Sequence, residues 1–175
     1  MQLIGTTIPG VKRVIERRNE DERGSFARTF DAEVLAAGGS PFAVCQVAHS
    51  VNPRRGTLRG MHWQAEPHAD AKIVRCLKGR LFDVVADIRP ESPAFSRWQG
   101  FELTPDSGAI LVPAGLAHGF QTLEDDTELL YLIGAPFKPL SATGFRFDDP
   151  AFGIDWPLPV AVISTRDRSF APFSP

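Results

Sequence analysis

The chain has 175 residues, of which 43% are hydrophobic and 23% are charged. These values are typical of a globular domain with a substantial core, and they argue against a disordered or fibrous chain. The net charge of −2 gives no general reason to expect nucleic acid binding or a basic membrane-binding surface. We therefore predict a single domain, residues 1–175, in which local positive charge holds any anionic partner.

Only two cysteines, Cys45 and Cys76, are present, and they do not form a C-x-x-C motif. Both lie in runs typical of buried strands, so we expect reduced, buried thiols and no disulfide scaffold. The N-terminus lacks the charged-then-apolar pattern of a signal peptide, and no apolar run reaches the ~18 residues that cross a bilayer. We predict a cytoplasmic protein that contacts neither membranes nor nucleic acid.

Short runs of β-branched and aromatic residues, separated by turns rich in Gly, Pro and Asp, follow one another along the chain. The predicted strands are 11–16, 25–30, 42–50, 57–64, 73–77, 81–88, 98–103, 109–113, 117–123 and 127–133. One helix is predicted over 32–37, with Asp31 as its N-cap and Gly38-Gly39 at its end. The tail from Asp148 is predicted to wrap the domain with at most a short helix and then a strand over 160–164. Many short strands at this spacing predict an all-β sandwich or barrel.

The most informative stretch is R-R-G-T-L-R-G-M-H-W-Q, residues 54–64, which is followed by a strand that begins near Lys72. Strand side chains alternate between faces, so His62 shares a face with Gly60 and Gln64. If the face that carries His62 and the side chain of Lys72 both point into a small barrel, the imidazole and the ammonium group share one cavity. Together they can remove a proton from carbon and stabilise the resulting negative charge. The alternative is an edge strand with solvated charges.

Arg59 and His62 have opposite parity, so a regular strand would place them on opposite faces. A β-bulge at Gly60 would bring both side chains to the same face.

Three further residues are candidates for function. His118 ends a P-x-G-x-x-H pattern seen in cupins, a jelly-roll superfamily whose histidines often bind a metal. The other half of such a metal site is missing after His62, which favours acid–base and hydrogen-bonding roles. Tyr131, the sole tyrosine, is either a buried structural hydroxyl or a proton donor to a carbanion. Asp167 either forms a surface ion pair with its neighbouring arginines or fixes the tautomer of a buried histidine.

With these residues identified, the chain resembles the dTDP-4-dehydrorhamnose 3,5-epimerase family, cupin-fold enzymes that act on nucleotide-linked 4-keto-6-deoxy sugars. The likeness runs from about Pro9 to Asp167. It rests on eight ordered blocks: D-E-R-G-S-F (21–26), L-R-G-M-H-W-Q (58–64), K-I-V-R-C-L-K-G (72–79), F-D-V-V-A-D-I-R (82–89), S-P-A-F-S-R-W (92–98), V-P-A-G-L-A-H-G-F (112–120), D-P-A-F-G-I-D-W-P (149–157) and I-S-T-R-D (163–167). The resemblance implies an all-β cupin-type jelly-roll barrel with one or two short helices. It also implies a nucleotide-sugar epimerase that needs no cofactor and no metal, because only protons move.

The resemblance assigns roles to matching positions. His62 matches the base that removes the proton next to the C4 carbonyl, and Asp167 matches its carboxylate partner. Lys72 matches the residue that stabilises the enolate oxygen, and Tyr131 matches the acid that reprotonates the opposite face. Positions that contact the substrate are matched by Arg23, Phe26, Gln46, Arg59, His118 and Arg166. Arg23 and Phe26 belong to a strand that crosses to the partner subunit in the family, which implies a homodimer with an exchanged N-terminal strand.

Four positions depart from the family pattern. Arg28 and Ala142 stand where acidic residues are usual, Ala48 replaces an asparagine, and Phe137 lies near a usual tyrosine. Replacing an acid by an arginine removes hydrogen-bond acceptors and inverts the local charge. We therefore expect an altered nucleotide or sugar preference, for example a GDP- or CDP-linked 4-keto sugar. A non-catalytic nucleotide-sugar-binding cupin and a metal-dependent cupin isomerase or oxygenase remain alternatives, and the choice among inversion at C3, C5 or both stays open.

Overall fold

Residues 1–174 are described by the computed structural model, and they form fourteen strands and two short helices. The strands are β1 (Gln2–Gly5), β2 (Lys12–Ile15), β3 (Arg18–Asp21), β4 (Gly24–Ala27), β5 (Gln46–Asn52), β6 (Thr57–Gln64), β7 (Lys72–Lys78), β8 (Leu81–Asp87), β9 (Trp98–Leu103), β10 (Ala109–Val112), β11 (Leu116–Thr122), β12 (Thr127–Ile133), β13 (Ala142–Gly144) and β14 (Val162–Ile163). The helices are α1 (Ala32–Ala37) and α2 (Thr165–Arg168).

Most of the strands are arranged in two large sheets. The first has the order β1-β2-β10-β7-β12-β5, and the second has the order β13-β6-β11-β8-β9, with β14 paired to β6. The pairs along both sheets are antiparallel, whereas β14 runs parallel to β6. Because the strands from β5 to β8 and from β9 to β13 alternate between two packed antiparallel sheets, the fold is a jelly roll. The predicted all-β, cupin-type architecture with one or two short helices is therefore confirmed.

The space between the sheets is filled by apolar side chains from both of them. Val74, Ile110 and Leu129 of the first sheet belong to one cluster with Phe120 of the second, and each is at most 1% exposed. Burial of this kind contributes roughly 1.5–3 kcal/mol per large side chain and holds the two sheets in register. Tyr131 of β12 packs against this core and is only partly buried. The core therefore ends at Tyr131, which borders a cavity.

Several predicted elements match the structure closely. Helix α1 covers the predicted residues 32–37, and the Asp31 carboxylate accepts hydrogen bonds from the backbone N–H groups of Glu33 and Val34. Strands β6, β9 and β12 have the predicted bounds, and the other predicted strands differ from the observed ones only at their ends. The tail differs in order: the strand shortens to Val162–Ile163, and the short helix follows it because Ser164 caps α2.

Three strands were not predicted. β1 and β13 have only four and three residues, too short for a period to be recognised. β3 has the sequence R-N-E-D and is fully exposed, so it carries no apolar alternation. It pairs only with β4, in a two-stranded sheet separate from both large sheets.

The expectation of two buried thiols was wrong for Cys45. Cys76 is buried in β7, but Cys45 is exposed because it precedes β5, which is the edge strand of its sheet. Burial raises the pKa of the Cys76 thiol to about 11, so that thiol is a poor nucleophile at neutral pH. Within residues 1–174, neither helix has the length and apolar character needed to cross a membrane.

Candidate active site

A bulge in β6 brings Arg59 and His62 to one face. Opposite β11, His62 pairs with His118 and Arg59 pairs with Phe120, so two β6 residues face the single residue Gly119. Gly60 adopts φ +127°, and a Cβ at this position would lie 2.6 Å from the Cα of Gly119. The extra residue changes the parity of the strand, so Arg59 and His62 line the same cavity. The bulge predicted at Gly60 is confirmed.

His62 is hydrogen-bonded to a buried carboxylate from the far end of the chain. Its Nε2 lies 2.7 Å from Oδ1 of Asp167 on α2, and the Gly60 N–H donates to Oδ2 of the same carboxylate. Asp167 is 4% exposed, so the surface ion pair considered above is not formed. Burial by itself would raise the pKa of Asp167, but hydrogen bonds from His62, Gly60 and Ser164 outweigh it and hold this pKa below its usual value. A neutral imidazole that donates one N–H to this carboxylate has its other nitrogen free to accept a proton.

A second imidazole–carboxylate pair lies on the strands next to β6 in the same sheet. His118 of β11 and Asp83 of β8 are both buried, and His118 Nε2 is 2.7 Å from Asp83 Oδ2. The ring of His118 meets that of Tyr131 edge to face, with centroids 6.1 Å apart and planes at 83°. Burial raises the pKa of the Tyr131 phenol far above its ordinary value; the negative charge of Asp83 raises it further, and Arg59 lowers it. Tyr131 therefore retains its proton at neutral pH.

Lys72 extends from the start of β7 into the same cavity. Its Nζ lies 3.1 Å from Oδ2 of Asp70, and its side chain is only 12% exposed. Asp70 also accepts a hydrogen bond from the backbone N–H of Gln64, which connects β6 to the segment before β7. The ion pair thus fixes the ammonium group in the cavity that His62 also lines.

The cavity at this site has a volume of ≈ 320 Å³, within the range of small-molecule sites. Its lining includes the imidazole, ammonium and phenol groups described above. Two adjoining cavities also include His62, and both contain Arg166. Gln46 lines one of these neighbours, and His62 borders all three cavities, which are together called the cleft. The lining residues of the central cavity are Ala48, Ser50, Arg59, His62, Lys72, His118, Phe120, Tyr131 and Ile133.

The cleft is rich in hydrogen-bond donors. Arg59 is oriented by a 2.9 Å bond from its Nε to Oδ1 of the buried Asn52, and its terminal nitrogens remain available. The Gln46 oxygen accepts from the Phe137 N–H, which leaves the Gln46 NH₂ group as a donor. Cationic and N–H donors of this kind suit phosphate oxygens. In the part of the chain that the structure describes, no three His, Cys, Asp or Glu side chains converge as metal ligands.

Eight of the ten predicted site residues line or support this cleft; Arg23 and Phe26 do not. Arg23 pairs with Asp21, and its side chain is 83% exposed. Phe26 is 72% exposed, and both residues line a separate small cavity on the β3–β4 hairpin. Of the departures from the family pattern, Ala48 lies in the central cavity, and Ala142 and Phe137 lie in a neighbouring one. Arg28 is exposed and pairs with Asp31.

Three residues of the site were missed by sequence reasoning: Asp83, Asp70 and Phe170. Asp83 had a recognisable signal, because it interrupts the otherwise apolar run L-F-D-V-V-A, and a buried charge requires a partner. Asp70 lies in an irregular segment two residues before Lys72, where no periodic pattern marks it, and the contact of Phe170 with His62 depends on tertiary structure.

Comparisons with known proteins agree with this geometry. A dTDP-4-dehydrorhamnose 3,5-epimerase from Sinorhizobium fredii is 41% identical over 165 residues, which cover 93% of this chain and 85% of the relative. The crystal structure of dTDP-4-dehydrorhamnose 3,5-epimerase from Bacillus anthracis, with TDP and PPi bound, superposes with a TM-score of 0.95 at 31% identity, covering 98% of this chain and 99% of that one. The epimerase from Legionella pneumophila in complex with dTDP-4-keto-L-rhamnose gives a TM-score of 0.91 at 32% identity, with 98% and 92% coverage.

The jelly roll and its donor-lined cleft thus define a cupin-type isomerase of the nucleotide-sugar epimerase class. More narrowly, the sequence profile of dTDP-4-dehydrorhamnose 3,5-epimerases matches residues 5–174. The chain belongs to that family.

Proposed function

We propose that the protein inverts C3, C5 or both of a nucleotide-linked 4-keto-6-deoxy sugar by proton transfer. The observation that carries this proposal is the presence of His62, Lys72 and Tyr131 on the walls of a single cavity, with Asp167 bonded to the histidine. A ketone acidifies the neighbouring C–H bonds, so a base, an oxyanion partner and an acid are sufficient for the reaction.

In the proposed reaction His62 is the base. The imidazole nitrogen not bonded to Asp167 takes the proton from the carbon next to the C4 carbonyl. Asp167, whose pKa is held below its usual value, stays ionised and stabilises the imidazolium that forms. The C–H electron pair becomes the carbon–carbon double bond of an enolate, and the negative charge moves to the C4 oxygen.

Lys72 is proposed to stabilise the enolate oxygen, since its ammonium group is nearly buried and lines the same cavity as His62. Charge stabilisation in such a partly desolvated position is stronger than in water. Tyr131 then donates its phenolic proton to the opposite face of the same carbon, and this inverts the centre. The His118–Asp83 pair contacts the Tyr131 ring and supports its placement.

Solvent deuterium exchange tests the base directly. We expect His62→Ala to lower the rate of deuterium incorporation into a 4-keto sugar nucleotide by roughly 10²–10⁴-fold. Tyr131→Phe should retain exchange but lose the inverted product. His68→Ala provides a matched control, because His68 is exposed and lies outside the cleft described above. Exchange at the wild-type rate in His62→Ala would refute the assignment. A wild-type protein that binds the sugar nucleotide without any exchange would support the non-catalytic alternative.

The nucleotide preference is a second part of the proposal. Ala48 and Ala142 offer no side-chain acceptor, and Phe137 offers no hydroxyl, at positions that line the cleft. We infer that the cleft prefers a nucleotide other than the thymidine form, such as a GDP- or CDP-linked sugar. Calorimetric titration with dTDP, UDP, CDP and GDP measures the preference. Tightest binding of dTDP would contradict the proposed preference. Ala48→Asn and Ala142→Glu restore side-chain acceptors, and we expect them to raise the affinity for dTDP relative to the other nucleotides.

A further inference from the structure

A segment that the proposed mechanism does not use passes directly beside the base. After α2 the chain brings Phe170 against His62, with ring centroids 5.8 Å apart and planes at 69°. A second neighbour of this phenyl ring is Arg166, whose Cζ lies 5.5 Å from the ring centroid. Phe170 therefore contacts both the imidazole and an arginine that lines the cleft.

His62 needs such a contact because little else restrains its ring. Its side chain is 37% exposed, and among residues 1–174 its one side-chain hydrogen-bond partner is Asp167. On the neighbouring strand β13, the residue paired with His62 is Gly144, which has no side chain to pack against the imidazole. A Cβ on Gly144 would lie 2.6 Å from Cε2 of Phe170. The phenyl ring therefore occupies the space that the glycine leaves beside the base.

Phe170 is held in place from both sides. Helix α2 precedes it, fixed by the bonds of Asp167 to Gly60 and His62. After it, the backbone N–H of Phe173 donates to the Asp149 carboxylate. The Phe173 ring packs at 5.2 Å from Phe152 and 5.7 Å from Phe145, in the aromatic cluster behind β6. A side chain anchored on both flanks can restrain its neighbour with little motion of its own.

Building on the proposed function, we propose that Phe170 is a positioning residue for the base. Its ring restrains the imidazole of His62 in the orientation in which one nitrogen bonds Asp167 and the other faces the substrate carbon. A displacement of the reacting group by 1 Å can cost about 10²-fold in rate. Phe170 itself touches neither the reacting carbon nor the proton.

The test compares two matched substitutions. Phe170→Leu removes the aromatic contact with His62, and Phe82→Leu removes a half-buried phenyl ring from a cluster with Trp98 and Trp156, away from the cleft. At saturating sugar nucleotide, Phe170→Leu should lower the deuterium-exchange rate roughly tenfold or more. Phe82→Leu should keep the wild-type rate at a similar cost in thermal stability, and Phe170→Tyr, which retains the ring, should restore exchange to within about twofold.

An NMR measurement on the free protein tests the role of Phe170 independently of the proposed function. The imidazole ¹H–¹⁵N NMR spectrum contains only four histidines, so the His62 signals can be assigned with His62→Ala. Phe170→Leu should move the His62 ring protons by loss of the ring current and speed the exchange of its bonded N–H with water. The inference is overturned if those signals stay in place, if Phe170→Leu keeps the wild-type rate, or if Phe170→Tyr or Phe82→Leu loses as much activity. If the wild-type protein exchanges no deuterium, the proposed function fails, and the NMR spectra alone decide the role of Phe170.

Discussion

Tyr131 must keep its phenolic proton until a carbanion forms and must also be acidic enough to donate it. Burial and the charge of Asp83 raise the pKa of its phenol, which ensures that the proton is present when a carbanion forms. The same shift makes the phenol a weaker acid, and the driving force of donation falls with acidity. Efficient donation must therefore depend on placement, which the edge-to-face contact with His118 provides. Arg59 opposes the shift and moderates it.

The raised pKa of Tyr131 predicts a specific alkaline behaviour. An unfolded tyrosine ionises near pH 10, whereas the folded group keeps its proton to higher pH. Its contribution to the free energy of unfolding is therefore complete below about pH 10 and is lost as the pH rises above that value. Because Tyr131 is the only tyrosine, tyrosinate absorbance reports this group alone. We expect no ionisation near pH 10 while circular dichroism remains native. Ionisation of Tyr131 near pH 10 in the folded protein would contradict a raised pKa for its phenol. Tyr131→Phe, which has no tyrosine, provides the spectroscopic blank.

At the scale of elements, much of the architecture could be predicted because strong local signals agreed with the global fold. β6 and β12 combine apolar residues with clear turn boundaries, and Asp31 with Gly38 marks both ends of α1. The bulge at Gly60 could be predicted from a conflict of parity between two residues that the chemistry requires on one face. Such a conflict indicates an extra residue in the strand, because the side chains of a regular strand alternate strictly between its two faces.

Other elements could not be predicted from local pattern. The R-N-E-D strand β3 pairs with β4, and its Arg18 forms an ion pair with Asp106 and donates to the Pro105 carbonyl, so its contacts are polar and leave no apolar pattern in the sequence. Asp83, Asp70 and Phe170 reach the cleft through contacts across 35 to 108 positions of the chain or through irregular segments, and no periodic rule covers these contacts. The carboxylate partner of His62 was available from the family resemblance, whereas the pairing of Asp83 with His118 was evident only in the structure.

At the scale of the whole molecule, two features support a homodimer in which the β3–β4 hairpin reaches the partner. The hairpin forms a separate sheet and presents Phe26, which is 72% exposed. The edge strand β5 presents Val47 and Val51, which are 61% and 51% exposed. An unpaired edge with exposed apolar side chains is a site for association. In such a dimer Arg23 of the hairpin would complete the cleft of the other subunit.

Subunit complementation tests this exchange. We expect Arg23→Ala and His62→Ala to have low activity separately, and a refolded mixture of the two to recover about a quarter of the wild-type activity. The recovery arises because half of the dimers are mixed, and each mixed dimer contains one site with both native residues. Sedimentation velocity should show a dimer for each variant. A mixture that stays as inactive as its components would place Arg23 in the cleft of its own chain, and wild-type activity of Arg23→Ala alone would place it outside any cleft.

The bulge in β6 also has a consequence for how this site can be altered. Arg59 and His62 share a wall only because one additional residue stands between them. Deleting Gly60 would remove the bulge, so the residues before it and the residues after it could no longer both keep their apolar side chains in the core. Either Arg59 or His62 would then turn to the opposite face of the sheet. Substitutions around the cleft can change its selectivity gradually. A change of one residue in the length of β6 instead either keeps or destroys the shared orientation of Arg59 and His62.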